Sequence, residues 1–414
     1  MSLCIFTIVA RNYLPLALTL ADSVALHHPE ARLHIFVADG LEGLPEEQRR
    51  HALTGLDSYL GLDWDPLRFQ YDITEFCTSV KPHLFRRLLA ETDAEHVYYL
   101  DPDTWLFGRL DCIHQAAPQA SIFLTPHLLH CRPDGDHAYP EYAHLWEGIF
   151  NLGFCAVRRS ASADRFLLWW DKRLREHCYA DHFDGLHTDQ KWMDYVPAYF
   201  GQALHIVRLQ GVNTAHWNLD ERELAQDPQG HYSVNGEPLL LFHFSGFDFK
   251  GAQLTRHVDS AQQERYASLA LRHLGADYRA AVHANGYASH IDLPYRYNHF
   301  DNGHPISPLQ RRLYRAMGGA NFESQPFAAA GPFFRMLAKR RLLDNSPAAL
   351  RGHAAATLPR VGRLTRCAQF ALRGFLRCFG ASRYAYLLKF FSKFARLENH
   401  AFLLEDGQVG QRRP

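Results

Sequence analysis

The stretch HVYYLDPDTWLF (His96–Phe107) decides the fold. Val97–Leu100 is an unbroken apolar run, the pattern of a strand buried on both faces. Asp101-Pro102-Asp103 stops it, because proline has no N–H to give to a sheet ladder. The two acids stand two residues apart, so in an extended chain both carboxylates face the same side. Adjacent carboxylates repel unless a cation lies between them. A hard ion such as Mn²⁺ or Mg²⁺ suits them, usually with substrate phosphates completing its shell. Two other Asp-x-Asp pairs are weaker: Asp63/Asp65 follows no β run, and Asp134/Asp136 sits in a Pro- and Gly-rich loop where turn acids are ordinary.

Outward from this strand the chain reads as α/β. CIFTIVA (Cys4–Ala10) and LHIFVA (Leu33–Ala38) predict strands on either side of a helix over Leu14–Leu26. Pro82–Thr92 predicts a helix, SIFLT (Ser121–Thr125) and NLGFCAV (Asn151–Val157) strands, Ala163–His177 a helix, and LLLFHF (Leu239–Phe244) a late strand. Trp169 and Trp170 sit at helical spacing with Phe166 and Leu174 and read as core. Apolar strands alternating with helices argue for a parallel sheet covered on both faces, and ligands in such sheets bind outside the strands' carboxyl ends. Asp39, Asp101, Asp103 and His243 are expected at such ends. Imidazole is a good Mn²⁺ ligand, and Gly246 permits close approach of backbone to a ligand. The residues therefore suggest a carboxylate–carboxylate–imidazole site. His127 and His130 mimic HxxH but lie in an irregular loop without a glutamate base, which argues against a zinc protease.

Five segments in order carry a resemblance. VYYLDPDTWLF, FNLGFCAV (Phe150–Val157), Thr188-Asp189-Gln190, GVNTAHWN (Gly211–Asn218) and LLFHFSG (Leu240–Gly246) resemble the motifs of glycosyltransferase family 8, the glycogenin and bacterial lipopolysaccharide transferase group. DQKWMD and HFSGFD bring the chain closer to a set of bacterial glycosyltransferases with unassigned acceptors. The resemblance covers about residues 1–250. It implies an A-type glycosyltransferase fold and a nucleotide-sugar donor, with UDP favoured. It implies transfer of a hexose with retention to a glycan, lipid-linked or protein acceptor. It makes Asp101, Asp103 and His243 the metal ligands, and places Asp189 and Gln190 at the reacting sugar, where a carboxylate or amide oxygen stabilises oxocarbenium character. On the donor side it implies Ala10, Asn12, Tyr13, Asp39, Asn151, Gly153, Gly246 and Lys250, with Lys81 and Arg86 adding positive charge at the phosphates. On the acceptor side it implies Asn213, His216 and Trp217. The chain departs from the pattern at Arg11, where an Asp is usual, at Lys191, and at Phe249, where the family has the lysine that here comes one residue later.

Composition bounds the alternatives. At 414 residues, 47% hydrophobic and 21% charged, the chain is long enough for two or three domains and too apolar for wholesale disorder. The expected division is a transferase domain over 1–250, a helical and aromatic extension over 251–330, and a basic tail over 331–414. Eight cysteines without a CxxC read as reduced thiols of a cytoplasmic protein, and MSLCIFTIVARNY lacks the basic start and cleavage site of a secretory signal. Net charge is zero, yet Gly331–Leu397 holds 14 Lys and Arg against one acid, Asp344. An acidic body disfavours nucleic acid. The tail, above all Leu364–Leu397, predicts three basic amphipathic stretches suited to peripheral contact with an anionic membrane at its cytoplasmic face. Two competing readings are a glycosidase using paired acids and a catalytically silent nucleotide-sugar-binding module. Acids two residues apart are too close for the ~5–5.5 Å separation of a retaining glycosidase.

Overall fold

The computed structural model describes residues 3–31, 33–44, 51–131, 139–182, 184–251, 253–258, 263–343 and 362–404. The chain forms two compact units. One comprises Met1–Gly61 and Ile73–Tyr295, the other Leu62–Asp72 and Arg296–Pro414. This division by packing runs across the boundaries at 250 and 330 expected from sequence. Asp134 and Asp136, and the break expected at Asn345–Pro347, lie outside the described residues.

The first unit is mixed α/β. Its strands in chain order are β1 (Leu3–Val9), β2 (Leu33–Val37), β3 (Ala52–Gly55), β4 (His96–Leu100), β5 (Thr104–Leu106), β6 (Ile122–Pro126), β7 (Phe150–Arg158), β8 (Ala180–Asp181), β9 (Leu186–His187), β10 (Leu204–Ile206), β11 (Leu224–Gln226), β12 (Tyr232–Val234), β13 (Glu237–Pro238) and β14 (Leu241–His243). Seven of them make the central sheet in the order β10-β6-β7-β4-β1-β2-β3. All its pairings are parallel except those of β7, which runs antiparallel to β4 and β6. Every residue of β4 is buried, as its apolar run requires. One core face joins Ile5, Leu18, Ile35, Tyr98, Phe123 and Phe154 between the sheet and the helix Leu14–His27.

The late strand differs from expectation. Leu241–His243 is outside the central sheet and pairs antiparallel with β5, His243 lying opposite Thr104. The turn after β4 makes this possible. Thr104 donates to the carbonyl of Asp101 from both N–H (3.1 Å) and Oγ1 (2.7 Å), so the chain reverses at Pro102 and re-enters as β5. The N–H of Phe244 then donates to the carbonyl of Asp103 at 2.8 Å. A two-stranded ribbon of three-residue strands thus carries His243 to the end of β4.

In the second unit, Phe69, Phe300, Leu313, Tyr314, Phe333 and Leu337 form a core. Buried Arg311 donates to the carbonyls of Arg68, Phe69 and Tyr71 and, through its other nitrogen, to Tyr297. Asp65 of the minor Asp-x-Asp pair belongs to this unit and is held by Arg68 at 2.7 Å. The tail contributes a helix over Pro332–Lys339 and one over Gly362–Ser392 that breaks at Gly380 (φ 81°).

Candidate active site

Asp101 and Asp103 flank Pro102 at the end of β4, and His243 faces both. Its Nε2 lies 3.1 Å from Asp103 Oδ1 and 3.8 Å from Asp101 Oδ2. The orientation of that imidazole follows from a chain of hydrogen bonds. The backbone N–H of Gly153 can only donate, and it donates to Asn151 Oδ1 at 2.9 Å. Asn213 must therefore present its Nδ2 to the same oxygen, at 3.0 Å, and gives its other hydrogen to Thr125 Oγ1 at 2.8 Å. That leaves Asn213 Oδ1 to accept from His243 Nδ1 at 3.2 Å. With the proton fixed on Nδ1, the ring aims Nε2 at the two carboxylates. A metal-binding histidine is held in this way from its far side. Asn213 adopts φ 56°, a left-handed conformation that asparagine tolerates better than most residues.

Gly153 supplies the room. A Cβ there would sit 2.3 Å from His243 Cε1 and Nδ1, so only glycine lets β7 pass beneath the ring. Burial alone would push the His243 pKa down, but the charge and hydrogen bond of Asp103, and then the charge of Asp101, outweigh it and raise it. Likewise desolvation works against the Asp103 carboxylate, which is half-buried, but His243 outweighs it and holds Asp103 below the usual carboxylate range.

Lys81 begins the helix Lys81–Glu91 and is buried below this group. Its Nζ contacts Asp189 Oδ2 at 2.9 Å, Asp101 Oδ1 at 3.7 Å, the Leu152 carbonyl at 3.2 Å and the ring face of Tyr99. Burial works against the ammonium, yet Asp189 and Asp101 raise its pKa overall. Thr188, at φ 46°, is a β-branched residue in a conformation that costs about 1–3 kcal/mol, and its hydroxyl donates to Asp189 Oδ1. Gln190 is committed at both ends of its amide: Nε2 donates to the Glu147 carbonyl, and Oε1 accepts from Leu152 N and Asn151 Nδ2.

A cavity of about 370 Å³ opens beside the two aspartates, lined by Val9, Ala10, Asn12, Tyr13, Cys77 and Tyr99 among others. Asp39 does not line it and is held by Arg11, whose N–H and Nε reach its two oxygens at 2.9 and 3.2 Å. Trp217 meets His243 edge-to-face at 5.1 Å. His216 lies against His257 at 5.4 Å, and a Cβ on Gly246 (φ 65°) would strike that same His257. Two expected phosphate contacts stand apart from this group. Arg86 reaches Asp164 at 3.4 Å, and Lys250 is exposed in a turn made by Asp248.

Sequence reasoning missed Tyr99, whose hydroxyl donates to Asp101 Oδ1 at 2.5 Å, because an aromatic inside a buried strand reads as core. It also missed the role of Thr125 and the neighbouring group His127, His144 and Glu147.

Among the described residues three groups of side chains bring metal-ligating atoms together: Asp101/Asp103/His243, His127/His144/Glu147 and His28/Glu30/Asp111. In the second, the imidazoles stack at 4.4 Å and 23°, so no ion can lie in both ring planes. His127 is also engaged at both nitrogens, by the Ile149 carbonyl and Asn151 Nδ2. In the third, Arg109 takes both Glu30 and Asp111, and His28 Nε2 accepts from Leu110 N. The donor set of Asp101, Asp103 and His243 is the one that fits a hard divalent ion.

No protein-family model matches the chain. It is 26% identical over 253 residues to the uncharacterized protein YfnD of Bacillus subtilis (strain 168), covering 58% of this chain and 76% of that protein. Similar solved structures include the galactosyltransferase LgtC in complex with donor and acceptor sugar analogs, at 14% identity, TM-score 0.40, and 71% and 98% of the two chains. They also include mouse xyloside xylosyltransferase 1 in its apo form, at 12% identity, TM-score 0.36, and 58% and 97%. At such TM-scores these likenesses carry no argument about this chain.

Proposed function

We propose that the protein is a divalent-cation-dependent glycosyltransferase of the A-type fold. It would move a hexose from a nucleotide-diphosphate sugar, UDP favoured, to a glycan, lipid-linked or protein acceptor with retention. The observation that carries this reading is the tautomer-fixed His243 aimed at two strand-end carboxylates beside a cavity large enough for part of a nucleotide. Asp101, Asp103 and His243 would hold Mn²⁺ or Mg²⁺, which when bound supplies Lewis-acid neutralisation of the departing diphosphate.

The remaining work falls to the chain. The cavity between Tyr13 and Tyr99 receives the base and ribose, with Ala10 and Asn12 on its wall. Asp39 is held by Arg11, the residue between the lining residues Ala10 and Asn12, and would serve through it. Lys81 keeps Asp189 and Asp101 in register at the reacting sugar, where the Asp189 carboxylate faces developing positive charge. Gln190 positions Asn151 and Leu152 rather than reacting. Trp217 and His216 are buried, so they would serve the acceptor side only by backing His243 and His257, while Asn213 is spent on orienting His243.

The test is calorimetry of UDP on the purified protein with Mn²⁺ and with EDTA, together with UDP-sugar hydrolysis under both conditions. Metal-dependent binding and turnover are expected. Binding without turnover would leave a nucleotide-sugar-binding module. Equal UDP binding in EDTA, or binding of NAD alone, would overturn the reading.

A further inference from the structure

The helix Gly362–Ser392 is fastened at its far end and, from Arg366 onward, exposed except at Leu372, Phe375, Tyr384 and Leu387, which are half-buried. Beyond it, Glu398 pairs with Arg312 at 3.3 Å and Arg315 at 3.5 Å, and Leu404 enters the core of the second unit. Yet from Arg366 to Ala395 not one residue is buried. Phe379, Phe390 and Phe391 are 50%, 49% and 56% exposed, and Phe370 is 81% exposed. Exposed aromatics in that number on one element mark an interaction surface.

Two features say what covers it. The first is charge: Arg366, Arg373, Arg377, Arg383, Lys389, Lys393 and Arg396 stand without an acid between Arg366 and Leu397. The second is their arrangement. At about 100° per residue, Arg366, Arg373 and Arg377 share one side of the first arm with Phe370 beside them, and Leu372, Phe375 and Phe379 stand opposite. After the break at Gly380, Lys389 opposes Leu387 and Phe391 in the second arm, and Lys393 begins the short 3-10 turn that follows. A basic helix with large apolar residues opposite its charges lies in the plane of a bilayer interface. Neither arm can cross, since no helix among the described residues is long and apolar enough.

We infer that Gly362–Ala395 is a peripheral membrane anchor, binding the surface of an anionic lipid leaflet with its phenylalanines in the interface and its arginines and lysines at the headgroups. This stands independently of the transferase reading. An acidic remainder of the chain confines the attraction to this element.

The full-length protein should sediment with vesicles of phosphatidylcholine and phosphatidylglycerol at low salt. It should ignore pure phosphatidylcholine and be released by 0.5 M salt, where screening is nearly complete at about 4 Å. The exposed-site variant Arg373→Glu/Arg377→Glu/Lys389→Glu/Lys393→Glu should bind at least about tenfold more weakly. Phe390→Ser/Phe391→Ser should weaken it further at constant charge, and neither should change the circular dichroism melt. Equal binding to neutral vesicles, no binding to anionic ones, or an unaffected charge variant would overturn the inference. So would sedimentation velocity showing that these phenylalanines hold two copies of the chain together.

Discussion

Two places in the first unit gather one histidine and two acids, and they do opposite things. At His28, Glu30 and Asp111 the acids are neutralised by a guanidinium: Arg109 reaches Glu30 and Asp111, and the ring of His28 accepts from a backbone N–H. At His243, Asp101 and Asp103 no arginine among the described residues pairs with either acid. The ring is held from behind by an amide, and Lys81 contacts only the outer oxygen of Asp101. Similar residue types make a closed ion-pair cluster in one place and the proposed cation site in the other. The difference is which counter-charge the fold has already provided: Arg109 comes from two residues before Asp111, whereas the amide that orients His243 comes from Asn213, thirty residues away.

The strongest test of this contrast removes charge from the open site. Asp103→Asn and Asp101→Asn should each lower turnover about a thousandfold or more, because leaving-group charge would then be left uncompensated. Mn²⁺ binding by calorimetry should be lost with it, while the thermal melt stays cooperative. Turnover at the wild-type rate in EDTA would dissolve the distinction between the two clusters.

The next test leaves the ligands in place and disturbs what holds them. Asn213→Gly keeps the φ 56° backbone and deletes only the amide, so His243 loses its fixed tautomer. Metal affinity should fall about 10–100-fold. Gly153→Ala should do the same from below, since its new Cβ would overlap His243. If Asn213→Gly binds Mn²⁺ as tightly as the wild type, the hydrogen-bond chain from Gly153 does not orient the site.

How much of this was legible in sequence follows the range of the interactions. The strand His96–Leu100 and its two acids could be read because a continuous apolar run and a proline act locally. The α/β class could be read for the same reason. That His243 arrives on a ribbon rather than in the central sheet could not: three-residue strands have no usable period, and their register depends on the turn at Pro102. Asn213 looked like an acceptor residue because its partners, Thr125, Asn151 and His243, are scattered over more than a hundred residues. Residues 62–72 join the second unit through Arg311, some 240 positions later, and no local pattern announces that. The basic tail was plain in composition, whereas the exposure of its whole length needed the structure.

A pH titration sharpens the contrast between imidazoles. Acids raise His243, whereas burial, and then the neighbouring His144, push His127 down to about 3. Between that value and the unfolded value of about 6.5, only the unfolded chain binds this proton, so this residue's share of stability falls as pH falls. At pH 5 the loss is about 2 kcal/mol, at 1.36 kcal/mol per unit. In urea titrations the stability lost between pH 7 and pH 5 should therefore be about 2 kcal/mol smaller in His127→Gln than in the wild type. An unchanged or larger loss would mean that His127 is not held neutral.

The smallest effect is expected at the closed cluster. Glu30 is exposed and already bound by Arg109, and that pair holds its pKa down to about 2, the hydrogen bond from Arg109 being the largest cause. An acid so compensated has little attraction left for a cation. Glu30→Gln should accordingly leave Mn²⁺ stoichiometry at one per chain and the affinity within about twofold, because exposed ion pairs count for little. The melting temperature should hardly move. A stoichiometry that falls from two to one on this substitution would show that Arg109 does not keep cations out, and that composition alone had decided both sites after all.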